Sequence, residues 1–435
     1  MKRETAARLW RAAACLAAVL ALFGGSAVSA RASGDDSEST GAVVTDAADT
    51  AGPEAGVPEP KPRMDIYGFA MLDMGYDFKQ VDPNWFDVLR PTKLPSYADQ
   101  FGADGNFYAG VRQSRLGVKG WLPTSLGEIK TIFEFELFGT GVDAGQTTFR
   151  LRHAWGEIGQ FGAGQTWSPF MDPDVFPNSI EYWGPNGMVF FRNVQVRWMP
   201  MQGENELFFA LERPGASADQ GPYGDKIALQ NVKAHFPAPD FSLHYKRSGD
   251  WGHVQIAAIY RYIAWKDTVP DEVDLSGHAN GWGVNLSTNI KTPMKGTVRA
   301  SVVYGEGIEN YMNDAPVDIG VETNAGDPHR PLLGKALPVL GIVGFYDFNW
   351  SERFSSALGY SYVHITNSDG QAPDAYKTGQ YALTNLLYYP VKNVMAGLEF
   401  QWGHRENFSD GFKVPDYRIQ FSARFNFDIH LEKKS

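Results

Sequence analysis

Hydrophobic and polar residues alternate with a period of two along most of the chain beyond residue 63. Between Met64 and Phe78 one parity carries Ile66, Gly68, Ala70, Leu72, Met74, Tyr76 and Phe78, and the other Asp65, Tyr67, Phe69, Met71, Asp73, Gly75 and Asp77. Successive side chains of a strand point to opposite faces, so this is a strand with one oily and one mixed face. The pattern returns at 128–138, where Ile129, Thr131, Phe133, Phe135 and Leu137 oppose Glu128, Lys130, Ile132, Glu134 and Glu136. It returns at 393–405, with Val394, Ala396, Leu398, Phe400 and Trp402 against Asn393, Met395, Gly397, Glu399, Gln401, Gly403 and Arg405. It is clearest at the end, where Tyr417, Ile419, Phe421, Ala423, Phe425 and Phe427 oppose Arg418, Gln420, Ser422, Arg424 and Asn426.

Alternation alone fits two architectures: a soluble sandwich with its oily face inward, or a membrane barrel with that face toward lipid and a polar lumen. Connection lengths separate them. Long segments near 79–106, 139–147, 168–188, 214–240, 266–279, 306–336, 366–377 and 404–415 take turns with short ones near 122–126, 159–160, 199–204, 248–252, 292–296, 349–353 and 390–393. Eight long and seven short connections predict sixteen strands in an all-β, antiparallel, up-and-down circuit, with the long-loop, short-turn asymmetry of bacterial outer-membrane barrels. Oily-parity aromatic residues also gather at strand ends, as Trp198, Trp282, Tyr304, Trp350, Trp402, Tyr417 and Phe427, which suits interfacial girdles.

Composition sharpens the picture. The chain has 435 residues, 43% apolar and 20% charged, with Gly 46, Tyr 19, Phe 28 and Trp 12, a mixture that favours strands and turns. A net charge of -11 supplies no basic footprint, so nucleic acid is set aside as a partner. Lys2, Arg3, Arg8 and Arg11, the apolar run Ala12 to Phe23, and Val28-Ser29-Ala30 read as a cleaved export signal over residues 1–30, with Ala30-Arg31-Ala32 as the alternative cleavage site. The lone cysteine, Cys15, lies within that leader, leaving the mature chain without thiol chemistry. Residues 31–63 are acidic and rich in Pro and Ala, without aromatic residues, and read as a disordered periplasmic tether. The barrel is expected over 64–427 and a tail over 428–435.

A barrel of about sixteen strands is too wide for its own side chains to fill, so it leaves an aqueous channel unless a loop closes it. The connection at 168–188 carries four prolines with Asp172, Asp174 and Glu181, and is the candidate constriction. Parity places Arg115, Lys119, Arg150, Arg152, Arg197, Arg261, Arg299, Arg418 and Arg424 on the wall as basic lining residues, together with His253. An acidic sector comprises Glu128, Glu134, Glu136 and Glu399, with Lys130 among them. Rings of fixed charge at a narrowing select permeants by sign. The expected function is passive diffusion of small hydrophilic solutes, with no cofactor and no metal. Asp172-Pro173-Asp174 could ligate a hard cation, but a proline-stiffened loop is the simpler reading. A lipase-type barrel enzyme and a soluble glycan-binding β protein are the alternatives. The first lacks a Gly-x-Ser-x-Gly or His-Glu-x-x-His motif here.

The stretch Phe149-Arg150-Leu151-Arg152-His153-Ala154-Trp155-Gly156-Glu157, followed by Ala163-Gly164-Gln165-Thr166-Trp167-Ser168-Pro169-Phe170-Met171-Asp172, resembles the DcaP-like trimeric outer-membrane porins. So do Tyr304-Gly305-Glu306-Gly307-Ile308, Tyr360-Ser361-Tyr362, and the run from Tyr381-Ala382 through Gly397-Leu398-Glu399-Phe400 to Arg418-Ile419-Gln420-Phe421-Ser422. The resemblance implies a homotrimer of sixteen-stranded pores in the outer membrane, passing small anionic solutes such as dicarboxylates. Members of that family often carry an N-terminal coiled coil, whereas residues 31–63 show no heptads. Such barrels also commonly end on an aromatic residue, while Phe427 is followed by eight more residues.

Overall fold

The structure, a computed structural model, describes residues 61–432. The expected leader and nearly all of the tether lie outside the described residues. Eighteen hydrogen-bonded segments close into a barrel, two of its staves being interrupted, so that sixteen strands complete the circuit. They are β1 (Arg63–Asp77), β2 (Asn106–Gly110 and Arg115–Thr124), β3 (Gly127–Phe138), β4 (Thr147–Ile158), β5 (Phe161–Trp167), β6 (Arg192–Met201), β7 (Asn205–Glu212) and β8 (Val232–His235 and Asp240–Gly249). Then follow β9 (Gly252–Asp267), β10 (Gly277–Lys291), β11 (Gly296–Glu306), β12 (Pro338–Ser351), β13 (Phe354–Ile365), β14 (Tyr376–Tyr388), β15 (Val394–Asn407) and β16 (Lys413–Glu432). Each pairs antiparallel with its neighbours in sequence, and β16 closes on β1, with Asp77 opposite Arg418 and Arg63 opposite Glu432. Tight turns join the short-connection side, helped by left-handed backbone at Gly127 (φ 118) and Asn393 (φ 69).

The oily face points outward. On β15, Leu398 is 56% and Phe400 42% exposed, while Glu399 and Gln401 between them are 1% and 0% exposed. The same inversion holds on β3, where Phe133 and Phe135 are exposed and Glu134 and Glu136 buried. In a soluble sandwich those assignments would be reversed, so the soluble alternative does not describe this chain. Closure is what makes the inversion possible: every strand finds a partner on each side, leaving no open sheet edge to face hydrocarbon.

Two segments depart from the expectation. Residues 404–407 and 413–415 are strand, not loop, since His404 pairs with Pro415 and Arg405 with Val414, leaving only 408–412 to turn. Their polar composition masks where the strand ends, and Arg405 keeps the inward parity by donating to the carbonyls of Thr92 and Leu94. At the other end, β16 continues past Phe427 to Glu432, with Ile429 opposite Ile66 and Leu431 opposite Met64. Ile429 and Leu431 prolong the outward apolar parity, so 428–432 form strand where a tail was expected.

The interior is not uniformly polar. The long connections after β1, β5 and β11 turn into the barrel and bury Leu89, Leu94, Phe170, Met171, Ile308 and Tyr311 against Ala257, Val303, Val339, Val343 and Leu383 of β9, β11, β12 and β14. Each fully buried Phe or Leu stabilises by ~1.5–3 kcal/mol, against roughly 1 kcal/mol net for a typical hydrogen bond. Apolar packing therefore does much of the work of holding these loops inside.

A charge placed on the lipid face should expose its orientation. Leu398→Arg is expected to destabilise the barrel by ~2–4 kcal/mol in denaturant unfolding from lipid vesicles. A cost near zero would place Leu398 away from hydrocarbon.

Candidate functional site

The loop after β5 runs along the inside of the wall, tied to one strand after another. The Pro169 carbonyl meets His244 Nδ1 of β8 at 3.1 Å. Gln255 of β9 donates to the Met171 carbonyl (3.1 Å) and Asn285 of β10 to that of Phe170 (3.0 Å). Arg299 of β11 donates to the Asp174 carbonyl, and the Asn178 backbone N–H donates to Asp347 of β12 (3.2 Å). Asn178 Nδ2 reaches Ser355 of β13 (3.0 Å), and Asn385 of β14 returns a bond to the Asn178 carbonyl (2.8 Å). The Ile180 N–H donates to Glu399 of β15 (3.1 Å), and Gln420 of β16 donates to the Ile180 carbonyl (3.0 Å). Residues 169–180 thus line β8 to β16. Among the described residues, none of their hydrogen bonds reaches β3 to β6.

The wall from β2 to β6 carries a cluster of arginines, of which Arg150 keeps 28% and Arg115 14% of its side chain exposed while Arg152 and Arg192 are nearly enclosed. Arg152 binds Glu134 Oε1 at 2.5 Å and Glu136 Oε2 at 2.6 Å. Arg115 lies 3.7 Å from Glu134 and 3.4 Å from Glu136, and Arg150 and Arg192 lie 3.5 and 3.8 Å from Glu136. Four guanidinium groups share two carboxylates, which leaves an excess of two positive charges. Bulges in the β3–β4 pairing at Glu134/Phe135 and Glu136/Phe138 let Arg150, Arg152 and His153 all converge on this patch. Tyr182, returning from the inward loop, donates to Glu136 and receives a bond from Arg150 (3.3 Å). Burial, then the charge of Glu136, pushes the Tyr182 phenol above its usual value, so it keeps the proton it donates. Arg150 and Arg90 also border a cavity of about 260 Å³ shared with Tyr182, Trp183 and Asn313.

Several expected lining residues are instead enclosed, because the loops cover the wall from β8 to β16. Arg261 is fully buried and clamps Asp240 (3.0 Å), Asp318 (2.7 Å) and the carbonyls of Gly215 and Gly307, tying the loops after β7 and β11 to β9. Arg418 is fully buried on Asp77 (2.5 Å) and the Phe86 carbonyl (3.0 Å), anchoring the first loop. Arg299 is taken by Asp347 (2.5 Å) and the inward loop, and Glu399 lies beneath that loop. Arg197 spends its donors on Gln195 (3.1 Å) and the Trp167 carbonyl, with no salt-bridge partner among the described residues. Lys119 lies over Tyr67 (5.0 Å), and Arg424 over Phe69 (5.5 Å). Glu128 lies 3.7 Å from the exposed Arg63 and Lys130 3.7 Å from Glu157, away from the arginine patch.

The acidic loop residues also find mostly local partners. Asp172 lies 2.8 Å from His253 Nε2 and accepts from Ser287 (2.6 Å), and Asp174 takes the Lys246 ammonium at 2.6 Å. Burial opposes ionisation of Asp172, but the bond and charge of His253 and the charge of Lys246 outweigh it and hold the carboxyl below its usual range. Asp172, Asp174 and His253 place ligand-type atoms within 4.8 Å of one another. Lys246 already neutralises Asp174, so the group reads as a self-paired anchor. Glu181 accepts from the backbone N–H groups of Leu89 (3.1 Å) and Gly184, joining the first loop to the inward one.

Sequence reasoning missed Arg192 and Arg90. Arg192 follows the aromatic pair Phe190-Phe191, where no alternation marks its parity, and it stacks over Trp167 at 4.6 Å. Arg90 comes from a loop, paired with Asp314 (2.9 Å) and lying over Trp183 at 3.8 Å. No periodicity argument reaches such a residue.

The fold has counterparts of known structure. It is similar to the outer membrane channel DcaP of Acinetobacter baumannii, with a TM-score of 0.70 and 20% identity over 85% of this chain and 99% of that one. It is also similar to OmpT, an outer membrane protein of Vibrio cholerae (0.51, 12%, covering 86% and 100%). An anion-selective porin from Comamonas acidovorans matches comparably (0.53, 10%, covering 84% and 100%). No curated protein matches the chain. A sixteen-stranded barrel with its oily face outward and an inward loop thus meets a family match that spans residues 47–427, and the chain belongs to the DcaP outer membrane protein family, an outer-membrane porin.

Proposed function

We propose that this porin passes small hydrophilic anions by passive diffusion, with dicarboxylates as its favoured class, and that it works as a homotrimer exported by a cleaved leader at residues 1–30. The observation that carries the reading is the charge excess on the wall from β2 to β6: four arginines against Glu134 and Glu136. The trimer rests on the family resemblance and on a barrel of the same fold, OmpT of Vibrio cholerae, which is described in a trimer form.

The arrangement suits conduction better than capture. Two unit charges about 4 Å apart attract by roughly 4 kcal/mol at an effective dielectric constant near 20, so four unopposed guanidinium groups would hold a dianion too long. Glu134 and Glu136 temper the field. They also fix the arginine geometry, leaving a net attraction that a dianion can enter and leave. Asp172 and Asp174, on the inward loop, are tied up with His253 and Lys246. The loop therefore presents less repulsion to an anion than its acidic sequence implies.

Vesicles containing the purified protein should swell faster in a four-carbon dicarboxylate than in a diamine of matched size, and equal rates would remove the anion preference. Replacing Arg150 and Arg192 together by Ala cancels the two excess charges. The ratio of dicarboxylate to diamine entry is then expected to fall to about one. An unchanged ratio in a correctly folded double variant would move the selective residues elsewhere on the wall.

A further inference from the structure

On the outside of the barrel, the loop-side ends of β8 and β9 carry a basic patch that the channel does not use. Lys233 of β8 stands directly opposite Lys266 of β9, and both are exposed. Lys266 shares the outward parity of Val254, Ile256 and Tyr260, so the pair sits on the lipid-facing side. Like charges directly opposite on a sheet repel. Four lysines elsewhere at the loop side sit beside carboxylates, Lys79 on Asp104 (2.6 Å), Lys335 on Glu322 (3.3 Å), and Lys377 and Lys413 on Glu406 (3.9 and 3.2 Å), while Lys93 and Lys226 lie over the rings of Trp85 and Tyr223. Neither Lys233 nor Lys266 has a salt-bridge partner among the described residues. Asp267, adjacent in sequence, falls on the other parity and accepts the backbone N–H groups of Val269 (3.1 Å) and Leu275 (3.3 Å).

Height on the barrel identifies what could meet these charges. The outward residues from Val254 to Ala264 cover about 33 Å of strand, which at a tilt of about 40° spans about 25 Å, the height of the apolar band of such barrels. Lys266 is the next outward residue above it. Just below, Tyr262 stacks on His278 (5.2 Å, 22° between planes), Tyr260 donates to Asn280 (2.9 Å), and Trp282 is exposed on the neighbouring strand. The side chains therefore pass from apolar, through aromatic rings at the interfacial level, to two unneutralised ammonium groups. Lys233 uses one donor on the Gln230 carbonyl (2.8 Å), leaving others for a ligand.

We propose that Lys233 and Lys266 bind the phosphate of a phosphorylated glycolipid headgroup in the outer leaflet. A phosphate oxygen cluster between the two ammonium groups would convert a repulsive cross-strand pair into an attractive triad, with the acyl chains lying along the upper half of the outward stripe, from Ala264 to Tyr260. The lipid is favoured over a free anion because the site faces hydrocarbon on its lower side.

The test is native mass spectrometry of the detergent-purified full chain, titrated with a bisphosphorylated glycolipid, with the same glycolipid lacking phosphates, and with inorganic phosphate. The bisphosphorylated form should bind preferentially. K233Q/K266Q should weaken it by about tenfold or more, while K377Q/K413Q, whose lysines are already paired with Glu406, should leave it unchanged. Unaltered channel conductance in both double variants would show that the barrels have folded. Equal affinity in K233Q/K266Q, equal binding of the phosphate-free glycolipid, or displacement by millimolar inorganic phosphate would each overturn the proposal.

Discussion

The structure depends on one constraint: in hydrocarbon, backbone N–H and C=O groups can be satisfied only by neighbouring strands, and side chains that face the bilayer must be apolar. A period-two sequence meets both demands only if the sheet closes, as β16 does on β1 along fifteen paired positions from Arg63 to Asp77. Once closed, the polar parity has nowhere to go but inward. Glu134, Glu136, Arg152, Glu399 and Arg418 thus become interior residues.

What happens inside is settled by competition between packing and charge. Loops carrying Leu89, Phe170 and Ile308 pack against the small apolar positions of β9 to β14, and the buried clamps Arg261 and Arg418 fasten them. Breaking such a clamp would strand an uncompensated charge in a poorly solvated place, costing roughly 3–5 kcal/mol, so these arginines hold loops in position and are not free to attract solutes. The wall from β2 to β6 is reached by the inward loop as well, through Tyr182 on Glu136 and stacked on Phe138. It keeps its arginines in a mutual network where the positive charge exceeds the negative.

Much of the fold was legible because outward alternation is a local property that each strand states for itself. The segments at 128–138 and 417–427 each show which residues face lipid. The limits of strands were harder where polar residues continue a strand, as at His404 to Asn407, or where charged residues mask two last apolar positions, as at Ile429 and Leu431. The site was legible only in part. Parity turns Arg115, Arg150 and Arg152 inward, and the structure gathers them on Glu134 and Glu136, but what an inward side chain meets depends on which loop covers it. That depends on contacts between Asn178 and Asp347 or Ile180 and Glu399, which are more than a hundred residues apart in sequence. Arg261 and Arg299 share the parity of Arg115 and Arg152 and differ from them in their partners, which include loop carbonyls in place of the Glu134 and Glu136 carboxylates.

The central claim is that the positive sector opposite the inward loop governs passage although the chain as a whole is acidic. The most direct measurement is the reversal potential of the unmodified protein in a planar bilayer under a potassium chloride gradient. The account predicts the sign of chloride preference, weakening as ionic strength rises and screening shortens to about 3 Å near 1 M. A potential of the opposite sign would contradict it.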